Sequence, residues 1–242
     1  MHVIKLDAIG STNDYLKELL QNGSPGNFTV VTARTQTNGR GQMGAKWLSE
    51  PGKNLTMSVL VNDSRINLAQ LFDLNVAVAT AIIKALENFQ IPELSIKWPN
   101  DIMSGKKKLG GILIENSVKT ADDVASVIGI GLNVNQLDFN GLPNASSLAV
   151  VTQRTFDMDE LMLSIVVSIQ SQLEQLRENP ENIWENFDSK LFRKGKPTTF
   201  EDASGNRFMG MIDEAGRDGK LYVKLEDDSV KSFGIKQITM LY

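Results

Sequence analysis

The pattern of hydrophobic and polar positions divides the chain into a long region of strands and helices and a short region of strands. In the long region, alternating or short apolar runs predict strands, and apolar positions three and four residues apart predict helices. The predicted strands are 3–6, 29–33, 54–61, 95–98, 108–115 and 124–134, the last two joined by a polar turn near 120–123. The predicted helices lie between Ser11 and Gly23, over 68–89 and over 158–176, and Asn179-Pro180 ends the last one.

The composition changes after about Lys194, where short strands alternate with turn-rich segments. These strands are predicted at 198–200, 208–212, 221–225 and 230–233. We therefore predict two domains, 1–193 and 194–242, of which the second is a small all-β barrel. Strands and helices do not alternate strictly in the first domain, which favours an α+β fold with a mixed β-sheet and helices packed on one face.

Composition excludes several kinds of site. The chain has 242 residues with no cysteine and one histidine, His2, which argues against disulfides, thiolate or histidine metal sites and a Ser-His-Asp triad. The net charge of −4 implies no general affinity for nucleic acid. Neither a signal peptide nor an apolar run of membrane-spanning length is visible, so we expect a soluble cytoplasmic protein without a membrane partner.

The segment 39–47, which reads GRGQMGAKW, is the first candidate for chemistry. Its three glycines free the backbone to present consecutive N–H groups, and such a nest binds anions when a cation like Arg40 lies in it. Trp47 adds a flat apolar face for a base or ring. A surface hairpin turn is the alternative interpretation of the glycines. Neither a Walker A loop nor a Rossmann glycine motif is present.

A second segment, 97–101, reads KWPND and is followed by KLGG at 108–111. Lys97 ends an apolar strand, and Lys108 enters a strand whose glycines allow a ligand to approach the backbone closely. Asp101 is a candidate for binding Mg²⁺ or a hydroxyl, with an Asx-turn after Pro99 as the alternative. For both Trp47 and Trp98, core packing is the alternative to a ligand contact. Together the two segments predict a site for an activated, phosphate-bearing small molecule.

These segments closely resemble the biotin–protein ligases. Residues 39–47 are similar to the family's glycine-rich loop GRGRxGRxW, residues 97–101 match its KWPND motif, and residues 108–115 match its KLxGIL(I/V)E strand. Ser11-Thr12-Asn13, Gln36 and Gly131-Leu132-Asn133 match further motif positions. Two loop arginines of the family pattern are replaced, by Gln42 and by Ala45, and neither replacement carries the charge that would hold an acyl-phosphate.

The resemblance implies a class II synthetase-like (biotin–lipoate ligase) catalytic fold and a two-step reaction. Biotin and ATP, with Mg²⁺ bound mainly through the phosphates, form biotinyl-5′-AMP, and a lysine of a biotin carboxyl carrier protein then takes the biotin. The implied catalytic residues are Lys108, Arg40, Lys97 and Asp101. The implied biotin-binding residues are Ser11, Thr12, Asn13, Gln36, Gly39, Arg40, Lys108, Gly111 and Gly131. The implied ATP-binding residues are Arg40, Gly41, Gln42, Trp47, Lys97, Asn100, Lys108 and Asn133.

Two other functions stay open at this point. A lipoate–protein ligase shares the fold and the adenylation chemistry, and a non-catalytic module could bind a peptide or nucleic acid through the carboxy-terminal barrel. Because the family match begins near residue 3, we also expect no DNA-binding domain ahead of it and no regulation through DNA. The carboxy-terminal domain is expected to assist ATP binding or carrier docking.

Overall fold

A mixed β-sheet forms the centre of the molecule. The structure, a computed structural model, describes residues 1–62, 71–120 and 123–242. Across the sheet the order is β1-β2-β3-β7-β6-β5-β4, and the neighbours are antiparallel except for the parallel pair β1 and β2. These strands are β1 (His2–Ile9), β2 (Thr29–Gln36), β3 (Asn54–Asn62), β4 (Leu94–Lys97), β5 (Asp101–Ser104), β6 (Lys107–Thr120) and β7 (Asp123–Asn133).

The sheet matches the predicted strands with one addition. All six predicted strands are present, and β5 was not predicted. Pro99-Asn100 before it is typical of a turn, so the local pattern favours an Asx-turn at Asp101 and not a strand. Asp101 instead pairs with Lys97 and with Gly111 as the first residue of β5. Residues 121–122 of the predicted turn lie outside the described residues.

Helices cover both faces of the sheet, so the predicted one-sided arrangement is wrong. The long helices pack on one face against Val59 and Val61, whereas α1 places Leu16 against Val31 and Leu60 on the other. Successive strand residues point to opposite faces, and β3 is buried on both, so each face needs a cover. The helices are α1 (Thr12–Asn22), α2 (Leu71–Asn88), α3 (Leu148–Thr152), α4 (Met158–Glu178) and α5 (Pro180–Ser189).

Helix boundaries follow local chemistry. Ser11 caps α1 as predicted, with its side chain accepting a hydrogen bond from the Asp14 N–H. Asn179-Pro180 ends α4 as predicted, but Pro180 then begins α5, because the first helical position needs no N–H. The predicted helix 68–89 is confirmed from Leu71 onward, and its first three residues lie outside the described residues. A bilayer crossing would need a longer or more apolar helix than any in the described part of the chain.

The carboxy-terminal region is a second, antiparallel sheet with the order β11-β10-β9-β8-β12. This confirms a small all-β region, of which only the last strand was not predicted. Phe200 and Val223 from this sheet belong to the same buried cluster as Phe187 of α5, so the two regions share one core. The strands are β8 (Thr198–Asp202), β9 (Arg207–Ala215), β10 (Leu221–Leu225), β11 (Val230–Phe233) and β12 (Ile238–Leu241).

Candidate active site

The floor of the candidate site is a part of the sheet that lacks side chains. Along one face of β7, Ala125 and Val127 pack beneath α1, and Gly129 and Gly131 continue the same face toward the strand end. A Cβ atom on Gly129 would lie 2.5 Å from Asn13 Oδ1, and one on Gly131 would lie 2.5 Å from the Trp47 ring. At these glycines the side chains of Asn13 and Trp47 therefore lie directly on the strand, and Gly129 and Gly131 line the cavity beside them.

A cavity of about 240 Å³ lies above this floor. It brings together most of the predicted biotin-binding and catalytic residues, although they come from five separate segments. Its lining includes Ser11, Thr12, Asn13, Gln36, Arg40, Gly41, Gln42, Trp47, Asn100, Asp101, Lys108, Gly111 and Gly131. Gly39 does not line it but supports the loop, because its carbonyl accepts a hydrogen bond from the Trp47 N–H at 3.0 Å.

A second cavity of about 840 Å³ adjoins the first. The two cavities share Trp47, Asp101 and Lys108 in their linings. Lys97 and Asn133, which do not line the smaller cavity, line the larger one. The arrangement provides two compartments that meet at a lysine, a carboxylate and an aromatic ring.

Buried hydroxyl and amide groups form one end of the smaller cavity. The side-chain oxygen of Gln36 accepts hydrogen bonds from the Thr12 N–H at 2.8 Å and from the Thr12 hydroxyl at 3.1 Å. Ser58 Oγ lies 2.7 Å from Thr12 Oγ1 and 2.5 Å from Asn13 Oδ1. Ser58 was not among the predicted site residues, although a hydroxyl beside the apolar residues Met57 and Val59 of β3 is a usable signal. These groups fix one another and can recognise a neutral polar ring.

Two carboxylates hold Arg40, the cation of the glycine loop 39–47. Arg40 contacts Asp14, and its guanidinium lies 3.5 Å from Glu115. Glu115 also accepts hydrogen bonds from Asn13 at 2.7 Å and from Lys17 at 2.9 Å. Burial acts to raise the pKa of Glu115, but these hydrogen bonds and the charges of Lys17 and Arg40 outweigh it and lower the pKa. Neither carboxylate was predicted to be a site residue, and a ligand anion must compete with both for Arg40.

Lys108 and Asp101 form an ion pair where the two cavities meet. Lys108 Nζ lies 2.6 Å from Asp101 Oδ1, and the strands β5 and β6 that carry them are direct neighbours. A Cβ atom on Gly111 would lie 3.6 Å from both charged groups, so the glycine leaves a ligand access to them. The Lys108 side chain is 38% exposed, which keeps its ammonium reachable from the cavity.

Lys97 occupies a more buried position in the larger cavity. Its ammonium donates to the Tyr242 hydroxyl at 3.4 Å and lies 4.7 Å from the centre of that ring. Burial lowers the pKa of Lys97, and the negative charge of Asp101 opposes this effect. Tyr242 was not among the predicted site residues, because no local motif marks it.

The two tryptophans have different environments. Trp98 is buried and donates from its indole N–H to the Gly219 carbonyl at 3.2 Å, which fits the core interpretation. Trp47 is half-buried and lines both cavities, and its buried Nε1 has no hydrogen-bond partner within the described residues. A buried donor without a partner is costly, so Trp47 is suited to donating to a bound ligand.

The glycine loop is a tight turn and also a wall of the site, so the two interpretations of it are compatible. Gly41 N–H donates to the Ala45 carbonyl at 2.7 Å, and Met43 adopts a positive φ of 52° within the turn Gln42–Gly44. From the turn between β11 and β12, Lys236 Nζ donates to the Met43 carbonyl at 2.9 Å. The loop is thus attached to both parts of the molecule.

Two predicted ATP-binding amides have backbone partners. Asn100 Nδ2 donates to the Ile112 carbonyl at 2.6 Å, and Asn133 Nδ2 donates to the Ser146 carbonyl at 3.0 Å. These amides shape the cavity walls by holding neighbouring segments in place. Within the described residues there is no cluster of three His, Cys, Asp or Glu side chains that could hold a metal ion.

Comparisons with known proteins agree with this architecture. The model of the biotin/lipoate A/B protein ligase family matches residues 6–133. The bifunctional ligase/repressor BirA of Bacillus spizizenii is 38% identical over 135 residues, which are 56% of this chain and 41% of that protein. The biotin–[acetyl-CoA-carboxylase] ligase of Mycobacterium tuberculosis is 26% identical over 214 residues, which cover 86% of this chain and 79% of that protein.

A solved structure matches nearly the whole chain. The biotin protein ligase from Aquifex aeolicus in complex with biotin and ATP superposes with a TM-score of 0.82 at 26% identity, covering 99% of this chain and 98% of that one. The likeness therefore includes the second sheet, which lies beyond the residues matched by the family model.

Proposed function

This chain belongs to the biotin/lipoate A/B protein ligase family, and on that premise we propose that it is an ATP-dependent, AMP-forming biotin–protein ligase. One observation carries the proposal: two adjoining cavities meet at the Lys108–Asp101 pair. A reaction that joins two anionic substrates needs two compartments with a cation at their boundary. The Aquifex relative, bound to both biotin and ATP, supports the identity of the two ligands.

Biotin fits the smaller cavity. Thr12, Asn13 and Gln36 provide hydroxyl and amide groups for the ureido ring, and Gly129 and Gly131 line the cavity beside them. ATP fits the larger cavity, where Trp47 offers a face for adenine and Lys97 offers a charge for phosphate. Gly111 leaves room for the biotin carboxylate beside Lys108. These assignments rest on the geometry of the cavities and on the family resemblance.

The first chemical step joins the two substrates. A carboxylate oxygen of biotin attacks the α-phosphorus of ATP, and the bond to the bridging oxygen breaks with release of pyrophosphate. Lys108, Arg40 and Lys97 offset the repulsion between the carboxylate and the phosphates and stabilise the negative charge of the transition state. Fixing both substrates in line contributes much of the remaining acceleration.

The second step transfers biotin to protein. The neutral amine of an acceptor lysine attacks the acyl carbon of biotinyl-5′-AMP, an amide bond forms, and AMP leaves while the amine loses its proton. We propose a biotin carboxyl carrier protein of acetyl-CoA carboxylase or a related carboxylase as the acceptor. The name of the Mycobacterium relative supports this class of acceptor, and we place the reaction in the cytoplasm.

Magnesium enters this proposal only as the partner of ATP. The described residues offer no cluster of metal ligands, and the carboxylate predicted as a candidate, Asp101, is engaged with Lys108. The phosphates would therefore supply most of the ligands of Mg²⁺. We also propose that residues 1–193 form the catalytic domain and residues 194–242 a supporting domain.

Biotin-dependent exchange of labelled pyrophosphate into ATP tests the proposal. We expect exchange with biotin and none with lipoate, followed by transfer of biotin to a purified carrier domain. Exchange that depends on lipoate would identify a lipoate ligase instead. A folded protein that binds biotin but shows no exchange with any acid would indicate a non-catalytic module.

A further inference from the structure

Two lysines, Lys97 at the end of β4 and Lys236 in the turn between β11 and β12, line a third cavity of about 230 Å³ between the sheets. Asp101 and Gln42 add polar groups, and the rest of the lining is mostly apolar, from residues such as Trp98, Phe200 and Met240. A single water molecule needs only about 10–15 Å³ of such space, so a small hydrated anion can enter it. Lys97 also lines the large cavity assigned to ATP, so the two spaces adjoin at this side chain.

The ammonium groups of these two lysines have only neutral hydrogen-bond partners. Lys97 donates to the Tyr242 hydroxyl, and Lys236 donates to the Met43 carbonyl. No described carboxylate lies within 4.0 Å of either group, whereas Arg40 and Lys108 are both paired with carboxylates. Asp101 attracts Lys97 from a greater distance, but its Oδ1 is held by Lys108. The cavity between the sheets therefore has an excess of positive charge.

We propose that Lys236, together with Lys97, binds the β- and γ-phosphates of ATP and then the pyrophosphate that leaves. This inference rests on the proposed function, which requires a polyphosphate to end beside Lys97. A phosphate oxygen is a stronger acceptor for an ammonium than a backbone carbonyl, because the hydrogen bond is charge-assisted. Lys236 would exchange the Met43 carbonyl for the anion, and the neutral amide of Gln42 would donate beside it.

Inorganic pyrophosphate is a direct probe of this site. We expect wild-type protein to bind it in a calorimetric titration, and Lys236→Met to raise the Kd about tenfold, as loss of roughly 1.4 kcal/mol implies. Lys236→Arg should retain most of the affinity. Lys231→Met is the matched control, because Lys231 is an exposed lysine of the same sheet and does not line the cavity.

The Kd for biotin separates anion binding from a purely structural role. If Lys236 only holds the glycine loop, Lys236→Met should weaken biotin and pyrophosphate alike, and that result would overturn the proposal. Equal pyrophosphate affinity in Lys236→Met and Lys231→Met would also overturn it. The titration needs no turnover, so it decides the role of Lys236 even if biotin-dependent exchange fails and the proposed function is wrong.

Discussion

The indole of Trp47 covers Gly131 so closely that three of its ring atoms would lie within 2.9 Å of a Cβ atom at that position. Real Cβ contacts are never this short, so any larger residue at 131 must displace the ring. Because Trp47 lines both cavities, this single contact places the ring at the junction of the proposed biotin and ATP sites.

Gly131→Ala should therefore impair ligand binding while the protein stays folded. An extra methyl group in a packed site costs about 1–3 kcal/mol, so we expect Kd values for biotin and ATP to rise about tenfold to a hundredfold. Calorimetric titration measures both. Gly10→Ala is the control, since a Cβ atom there meets nothing within 4 Å. Equal affinities in the two variants would show that the Trp47 ring adjusts freely.

Lys108→Ala should reduce the rate of adenylate formation by about 10²–10³. The side chain is partly exposed, so its removal should leave the fold intact, although Asp101 loses its partner. Biotin-dependent exchange measures the rate, and circular dichroism checks the fold. Lys107→Ala removes the neighbouring exposed lysine as a control. A folded Lys108→Ala protein with wild-type exchange would remove Lys108 from the mechanism.

Gln42→Arg should slow the release of biotinyl-AMP about tenfold, which corresponds to roughly 1.4 kcal/mol. Gln42 lines the proposed biotin cavity, and an arginine there would make a charge-assisted contact with the phosphate that an amide cannot. The off-rate of preformed biotinyl-AMP is the measurement. Gln42→Met, which removes the amide without adding charge, serves as the comparison. An unchanged off-rate in Gln42→Arg would mean that another group already holds the phosphate.

Glu115→Gln should lose stability in a pH-dependent way. The pKa of Glu115 is lowered in the folded protein, so the ionised carboxylate stabilises the fold above its ordinary pKa of 4.5, and this stabilisation disappears as the pH falls through the folded value. Denaturant unfolding should show a difference from wild type at pH 7 that shrinks as the pH is lowered below 4.5. Glu226→Gln controls for removing an exposed carboxylate. A pH-independent difference would contradict the linkage.

Local pattern was sufficient for most of the fold. The cap at Ser11 and the alternation along β3 predicted a helix and a strand near their observed limits. Two of the unpredicted elements follow signals that favour a break in structure. Pro180 ends one helix and begins the next, and β5 follows a proline turn. Tertiary pairing with β4 and β6 makes that segment a strand, and no local pattern reports such pairing.

The candidate site was predictable where residues form compact motifs and not where they meet across the fold. Lys97, Asp101 and Lys108 stand within twelve residues of one another along the sequence, and the structure brings them to adjoining walls. Tyr242 lies 145 residues along the chain from its partner Lys97, and Lys236 lies 193 residues from its partner Met43. Only the packing of the second sheet on the first brings them there.

The candidate site lies where the hydrophobic packing on one face of β7 ends. Gly129 and Gly131 continue a face of β7 that Ala125 and Val127 fill elsewhere, and the cavity that they line with Asn13 and Trp47 is the space that bound biotin would fill. Binding therefore completes the packing of the sheet. A ligand at a hundred times its Kd would add about 2.7 kcal/mol to the free energy of unfolding. The abundance of the small molecule would then set how long the folded protein lasts, as well as how fast it works.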